Sequence, residues 1–354
     1  MHCLSVTNPP DNIMARIRYS LVIALYLSLA VPIAAQESFY KGKTLTFLVG
    51  APPGGGFDTM TRIVARHIAR HLAGNPIVVV QNMTGAGTLI AANHLYNRSK
   101  PDGLTIGVWV GSLTLQKFLG GTGMDFDPLK FEWIGVPVQQ TFLCAFTKVS
   151  GITSMERWFA SSTPVKLGGQ VPGTRPDDIS SILKAALGLP IQLVQGYKGT
   201  AEITMAAEAG ELAGQCTSWQ GLKSSWRRQY EAGDVAVVVQ TNRKSIPELT
   251  HVPLAINYAK TEEAKRLIEV GIHDLNAITL AYSAPPGTPK DKVQTLRTAL
   301  QATLRDPAFL ADAKTAQQEV DPMTGEDLAA TIAGFKKIPP AVMAKLAELL
   351  LPKK

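Results

Sequence analysis

Along most of the chain, short apolar runs alternate with stretches in which apolar residues recur every three or four positions. "LTFLVG" (45–50), "IVVVQN" (77–82), "LTIGVWV" (104–110), "FEWIGVPV" (131–138) and "TFLCAFTK" (141–148) are rich in β-branched and aromatic residues and read as strands. Helical periodicity fills Thr59–Leu72 and Leu89–Tyr96 between the first three. A second series places helices at Ser154–Ala160, Asp177–Leu187, Ala201–Ala209 and Leu222–Glu231 among the strands "VKLGG", "IQLVQG", "GQCTSW" and "VAVVVQ". "AITLAYSAPPGTP" is a strand running into a turn, and helices at Lys290–Leu304, Pro307–Thr315, Gly325–Phe335 and Ala341–Leu350 follow it. Such alternation predicts an α/β fold with parallel sheets covered by helices on both faces. Ligands of such sheets bind beyond the carboxyl ends of the strands.

One segment stands at that position. "GAPPGGGFDT" (50–59) follows the first strand and opens the first helix. Gly54–Gly56 let the backbone take positive φ and turn N–H groups outward, and the helix start adds unsatisfied N–H groups and a partial positive charge. An anion cradle and a plain tight turn with Asp58 as helix cap both account for it.

At 354 residues the chain has room for two domains, and 45% apolar with 18% charged residues is a globular composition. The net charge of +7 is spread along the sequence rather than clustered with aromatics, so nucleic acid is not an expected partner. The N-terminal stretch "MARIRYSLVIALYLSLAVPIAAQES" begins at Met14, carries Arg16 and Arg18, runs apolar from Leu21 and ends in small residues. It reads as a secretory signal peptide over 1–35, cleaved after Ala35, which makes the mature chain periplasmic. Cys144 and Cys216 both lie in strand-like runs; a disulfide and two buried thiols fit equally well.

Catalytic motifs are missing. There is no P-loop, no G-x-G-x-x-G, no G-x-S-x-G and no C-x-x-C, so no cofactor is expected. His67 and His71 stand one helical turn apart without the glutamate of a zinc motif, and read as part of a half-buried basic face. Arg62, Arg66 and Arg70 form a stripe on that helix expected to be solvated. Asp177 and Asp178 read as caps of the helix they precede rather than as an acid–base pair.

"LTFLVGAPPGGGFDTMTRIVARHIARHL", "IVVVQNMTGAGT", "PDGLTIGVW", "QGYKGTAE" and "SAPPGTP", in that order, resemble the substrate-binding proteins of tripartite tricarboxylate transporters, the Bordetella uptake gene family. The resemblance implies a two-lobed type II periplasmic binding fold. Lobe 1 would comprise 36–138 and 274–354, lobe 2 residues 139–273, with chain crossings near Val138 and Asp274. It implies capture of a small organic acid, delivery to a permease of one large and one small membrane subunit, and action as a monomer without catalysis. Matched residue by residue, the first ligand turn would be Pro53, Gly54, Gly55, Gly56, Phe57, Asp58 and Thr59, and the second Gly85, Ala86 and Gly87. Trp109, Val110, Gly111 and Ser112 would come from a strand end, and Gly173, Thr174, Tyr197 and Lys198 from the second lobe.

The chain departs from the family where a ligand would be touched: Thr84 stands before G-A-G, Leu104 follows P-D-G, "LGGQVPGT" replaces S-S-G-x-G-T, and Arg175 follows it. Arg175 is thereby a candidate partner for a distal carboxylate, and Trp109 and Trp219 candidate walls for an apolar body. Two other readings stand beside the transport receptor: an exported hydrolase or lyase on a similar scaffold, and a periplasmic sensing module.

Overall fold

The computed structural model describes residues 39–171 and 173–351; the expected signal peptide lies outside them. Eleven strands form among these residues: β1 (Thr44–Val49), β2 (Ile77–Asn82), β3 (Thr105–Val110), β4 (Glu132–Val136), β5 (Phe142–Thr147), β6 (Val165–Gly168), β7 (Ile191–Val194), β8 (Gly214–Ser218), β9 (Val235–Gln240), β10 (Leu280–Ala284) and β11 (Met323–Thr324). They make two sheets, ordered β11-β4-β10-β3-β1-β2 and β7-β6-β8-β5-β9. The chain is therefore α/β, as its alternating pattern predicts, and forms two domains, as the resemblance implies.

Neither sheet is purely parallel. β10 runs antiparallel between β3 and β4, and β5 runs antiparallel between β8 and β9. The cause is connectivity. β5 and β10 are the strands by which the chain enters each sheet from the other, so each arrives at the edge where the local strands end and runs the opposite way.

That arrangement gathers the candidate loops. Val49 stands beside Asn82 and Val108, so β1, β2 and β3 end together. Gly168 stands beside Val194 and Gln215, so β6 and β7 end together while β8 runs three residues further, to Ser218. β5 and β8 are also tied covalently, because Cys144 and Cys216 face each other in register and form a disulfide across 72 residues. Closing a loop of that length in the unfolded chain contributes roughly 4 kcal/mol in the chain-entropy picture.

Three clusters make the core. One packs the helix Gly56–Ile68 with β1, β3, β10 and the helices at Lys290–Thr303 and Pro307–Thr315. A second fills the face of the other sheet beneath the helices at Thr200–Glu208 and Trp219–Ser225. The third is continuous from one domain to the other: it includes Trp109 and Trp133 near the first sheet, Phe146 and Leu183 in the second domain, and Leu346 of the last helix, Pro340–Leu350. The segment Glu262–Ala277, which carries no periodicity strong enough to read from sequence, is a helix with a π-helical middle at Glu269–Asp274. It packs on the helix Arg175–Leu187 and leads the chain back to β10. Among the described residues no helix is long and apolar enough to cross a membrane.

Candidate functional site

The turn after β1 is exposed from Pro52 to Gly56 and is shaped by an aspartate inside the helix. Gly55 is the N-cap of Gly56–Ile68 and makes no side-chain bond, so Asp58 is the third helical residue and not the cap expected from sequence. Its Oδ2 accepts from the Gly54 N–H at 2.8 Å and from Arg62 Nε at 2.8 Å, and its Oδ1 accepts from Asn82 Nδ2 at 2.9 Å. Burial alone would raise the Asp58 pKa, but the bonds from Arg62, Gly54 and Asn82 outweigh it and hold the carboxyl below its ordinary value. With both oxygens taken and the residue 2% exposed, Asp58 shapes the turn. The Gly54 N–H is likewise spent, leaving φ +82° as the reason for glycine there.

The second domain repeats the device. Thr174 is the N-cap of Arg175–Leu187, and Asp177 is the third helical residue. Asp177 Oδ1 accepts from the Gln170 N–H (2.8 Å) and the Thr174 hydroxyl (3.0 Å), and Oδ2 from Gln195 Nε2 (2.7 Å). Asn82 ends β2 and Gln195 follows β7, so in each domain the neighbouring strand steadies the carboxylate. A third case is Glu202, third in the helix Thr200–Glu208, which accepts from the Lys198 N–H at 2.9 Å.

Between β2 and the next helix, Gly85, Ala86, Gly87 and Thr88 all have positive φ (135°, 46°, 59° and 75°). That is costly for Ala86 and more so for β-branched Thr88. Thr88 is held there because its Oγ1 accepts the Val110 N–H at 3.0 Å and its side chain lies against Gly50, where a Cβ would come within 2.6 Å. Ala86 and Gly87 are exposed at the rim. Gly111 and Ser112 are buried; a Cβ on Gly111 would strike the Ile278 carbonyl at 2.2 Å, so this glycine serves packing.

Of the remaining sequence candidates, Trp109, Arg175 and Trp219 are buried, and the others lie on loops. Trp109 is fully buried, donates Nε1–H to Ser283 Oγ at 2.8 Å and packs among Phe126, Phe131 and Trp133. Arg175 is buried as well: Nη2 donates to Asn276 Oδ1 (2.8 Å), Gly271 O (3.2 Å) and Ile272 O (3.4 Å), and Nη1 to Asp178 at 3.4 Å. Burial raises the Asp178 carboxyl above its ordinary range in spite of Arg175. Lys198 presents an exposed side chain 3.9 Å from Glu202. Tyr197 is half-buried against the helical cluster of its domain, and Gly173 and Thr174 are on the loop rim. Trp219 is 6% exposed and stacks edge-on with Tyr230.

The two domains meet in a seam. Gly56 and Phe57 of the first turn stand across a space of about 40 Å³ from Ser218 and Gln220, with Gln140 and Thr141 of the crossing segment between them. Gln220 Nε2 donates to Gln317 O at 2.9 Å and Lys223 pairs with Glu319 at 2.8 Å, both across the seam. Gln140, Thr141 and Gln220 were missed from sequence; they carry no glycine signature, and only the topology brings them to the turn. The arginine stripe is exposed, as expected, and each member is also paired, Arg62 with Asp58, Arg66 with Asp312 and Arg70 with Asp306. His67 and His71 bond the same Asp312 and Asp306, and no metal-type cluster occurs among the described residues.

The family model described as the tripartite tricarboxylate transporter family receptor matches residues 60–337. A TctC solute-binding protein from Polaromonas, solved without ligand, is similar at a TM-score of 0.67 and 17% identity, over 88% of this chain and 98% of that one. An R. palustris protein solved with adipate is similar at 0.60 and 23% identity, over 86% and 97%. MatC from Rhodopseudomonas palustris, with bound malate, is similar at 0.58 and 17% identity, over 87% and 99%. At these identities the likeness to solved structures is one of fold.

Two outcomes follow from the buried groups. Arg175→Ala strands Asp178, Asn276 Oδ1 and two carbonyls without their donor, so urea unfolding should show a loss of about 3–5 kcal/mol; a loss below about 1 kcal/mol would contradict the arrangement. His273 is 3% exposed, and burial, then Arg243, push its pKa down to about 4 against the pull of Glu269. Its folded pKa lies below the unfolded value, so the folded state binds fewer protons, and stability falls as pH drops from about 6.5 through about 4. Between pH 7 and pH 5 the wild type should lose about 2 kcal/mol more than His273→Gln in urea titrations; equal losses would contradict a buried neutral imidazole.

Proposed function

The chain belongs to the tripartite tricarboxylate transporter receptor family, and from that premise we propose that it captures a small organic acid between its domains and delivers it to the membrane subunits of such a transporter. In this reading it works in the periplasm after removal of residues 1–35, as a monomer, and without catalysis. Domain boundaries near Val138 and Asp274 belong to the same proposal; β4 ends just before the first, and the helical segment leading to β10 spans the second.

The observation that carries the reading is the meeting of Gly56 and Phe57 with Ser218 and Gln220 across one seam. A carboxylate held there would take hydrogen bonds from backbone N–H groups at the helix starts, aided by the dipole of Gly56–Ile68. Pro53, Gly55, Gly56 and Phe57 of the first turn, Ala86 and Gly87 of the second, and Gly173 and Thr174 opposite are the proposed contacts. Relatives of the same fold that carry adipate and malate support a dicarboxylate as the ligand class. The seam space of about 40 Å³ admits little more than a water. A ligand would therefore enter when the domains part and leave them closed around it, which is hinge closure of the usual kind.

A thermal-shift series with mono-, di- and tricarboxylates, adipate and malate among them, tests the proposal. One acid at a hundred times its dissociation constant should stabilise the folded state by about 2.7 kcal/mol, raise the melting temperature by several degrees, and be recovered unchanged. No shift with any acid, or conversion of the acid, would overturn it.

A further inference from the structure

The seam space beside Gly56 and Phe57 is one end of a longer cleft. A larger space of about 810 Å³ adjoins it, and the two share Gln140, Thr141 and Glu319 in their walls. The second domain gives the larger space the loop after β9 (242–248) and part of the helix Trp219–Ser225, and the first domain gives it 319–321 ahead of β11. The small space holds little more than a water. An acid with one carboxylate at Gly56 must therefore carry the rest of its body past the three shared residues.

These three differ in what they have free. Glu319 is committed to Lys223 at 2.8 Å. Gln140 and Thr141 belong to the first crossing, whose backbone is pinned at each step. The Gln139 N–H donates to the Asp321 carbonyl (2.9 Å) and the Gln140 N–H to the Asn276 carbonyl (3.1 Å), while the Thr141 carbonyl accepts the Trp219 N–H (2.9 Å). The side chain of Gln139 bonds Asp321 as well. The side chains of Gln140 and Thr141 are half-buried, and among the described residues neither the amide nor the hydroxyl has a hydrogen-bond partner.

A fixed backbone that carries an uncommitted, partly exposed amide is a contact made ready in advance. It loses little conformational freedom on binding and gives up no bond of the free protein. A carboxylate only accepts, so it takes the amide N–H and the hydroxyl O–H. We propose that Gln140 sets the specificity of the cleft: its amide N–H donates to the second carboxylate of a dicarboxylic acid whose first lies at Gly56 and Phe57, with the Thr141 hydroxyl donating beside it. The inference rests on the reading of the seam as one end of an organic-acid site.

The test is calorimetric, on the full mature chain as wild type, Gln140→Glu and Gln140→Ala. The probes are succinate, glutarate, adipate and malate, with butyrate, valerate, hexanoate and 3-hydroxybutyrate as the matching monocarboxylates. Gln140→Glu keeps the shape of the side chain and the backbone bonds around it, and puts a negative oxygen where the donor was. The diacid that binds wild type should weaken at least about tenfold in Gln140→Glu and several-fold in Gln140→Ala. Its matching monocarboxylate should bind all three proteins alike, and without ligand both variants should melt close to wild type. Equal diacid binding by wild type and Gln140→Glu overturns the proposal, as does a monocarboxylate weakened as much as the diacid. If Gln140→Glu does not fold, Gln140→Ala decides on the same terms. If no diacid binds wild type, the reading of the seam fails and this inference with it; diacid binding that is indifferent to Gln140 overturns this inference alone.

Discussion

Asn276 ties the two chain crossings together within the core shared by the two domains. Its Oδ1 accepts from Arg175 at the start of a second-domain helix, its Nδ2 donates to the Thr241 carbonyl just past β9, and its own carbonyl accepts the Gln140 N–H of the first crossing. A 3% exposed residue thereby ties together both segments by which the chain changes sheets. Each of these bonds is made away from water, where losing one partner costs more than the bond contributes in net terms. Arg175 is therefore a residue of the joint, its guanidinium buried and bonded to Asn276, Asp178 and two carbonyls. The same joint fixes where the strand ends of one domain stand relative to those of the other, so the seam inherits its geometry from Asn276.

Within that frame, the candidate turns are built by acids placed third in a helix. Asp58, Asp177 and Glu202 each reach back to a backbone N–H of the preceding turn, and Asn82 and Gln195 lock two of them from the adjacent strand. A turn fixed in this way loses little conformational entropy when it binds, which favours recognition by backbone donors. It also explains how acidic side chains can stand beside a proposed carboxylate site without opposing it. Their charge is already met by the donors that hold the turns.

The fold was legible because the apolar runs are clean. Strands such as "IVVVQN" and "VAVVVQ" appear where the pattern puts them, and the helices at Pro307–Thr315 and Leu89–Asn97 begin and end close to expectation. The antiparallel strands β5 and β10 were not legible, since strand direction depends on which sheet the chain comes from and not on local residues. The same limit applies at the site. Glycine turns announce themselves by composition, whereas Trp109 and Arg175 were misread because a side chain's direction is set by neighbours far away in sequence, such as Ser283 and Asn276. Gln140 and Gln220 carry no local signal at all.

The central claim is that the domains close on an organic acid about the joint at Asn276. It is tested most directly by the distance between spin labels placed by Lys100→Cys in the first domain and Lys184→Cys in the second, both exposed and away from the seam. Addition of the acid that stabilises the protein should replace a broad distance distribution by a narrower and shorter one. A distribution unchanged at saturating acid would contradict the account.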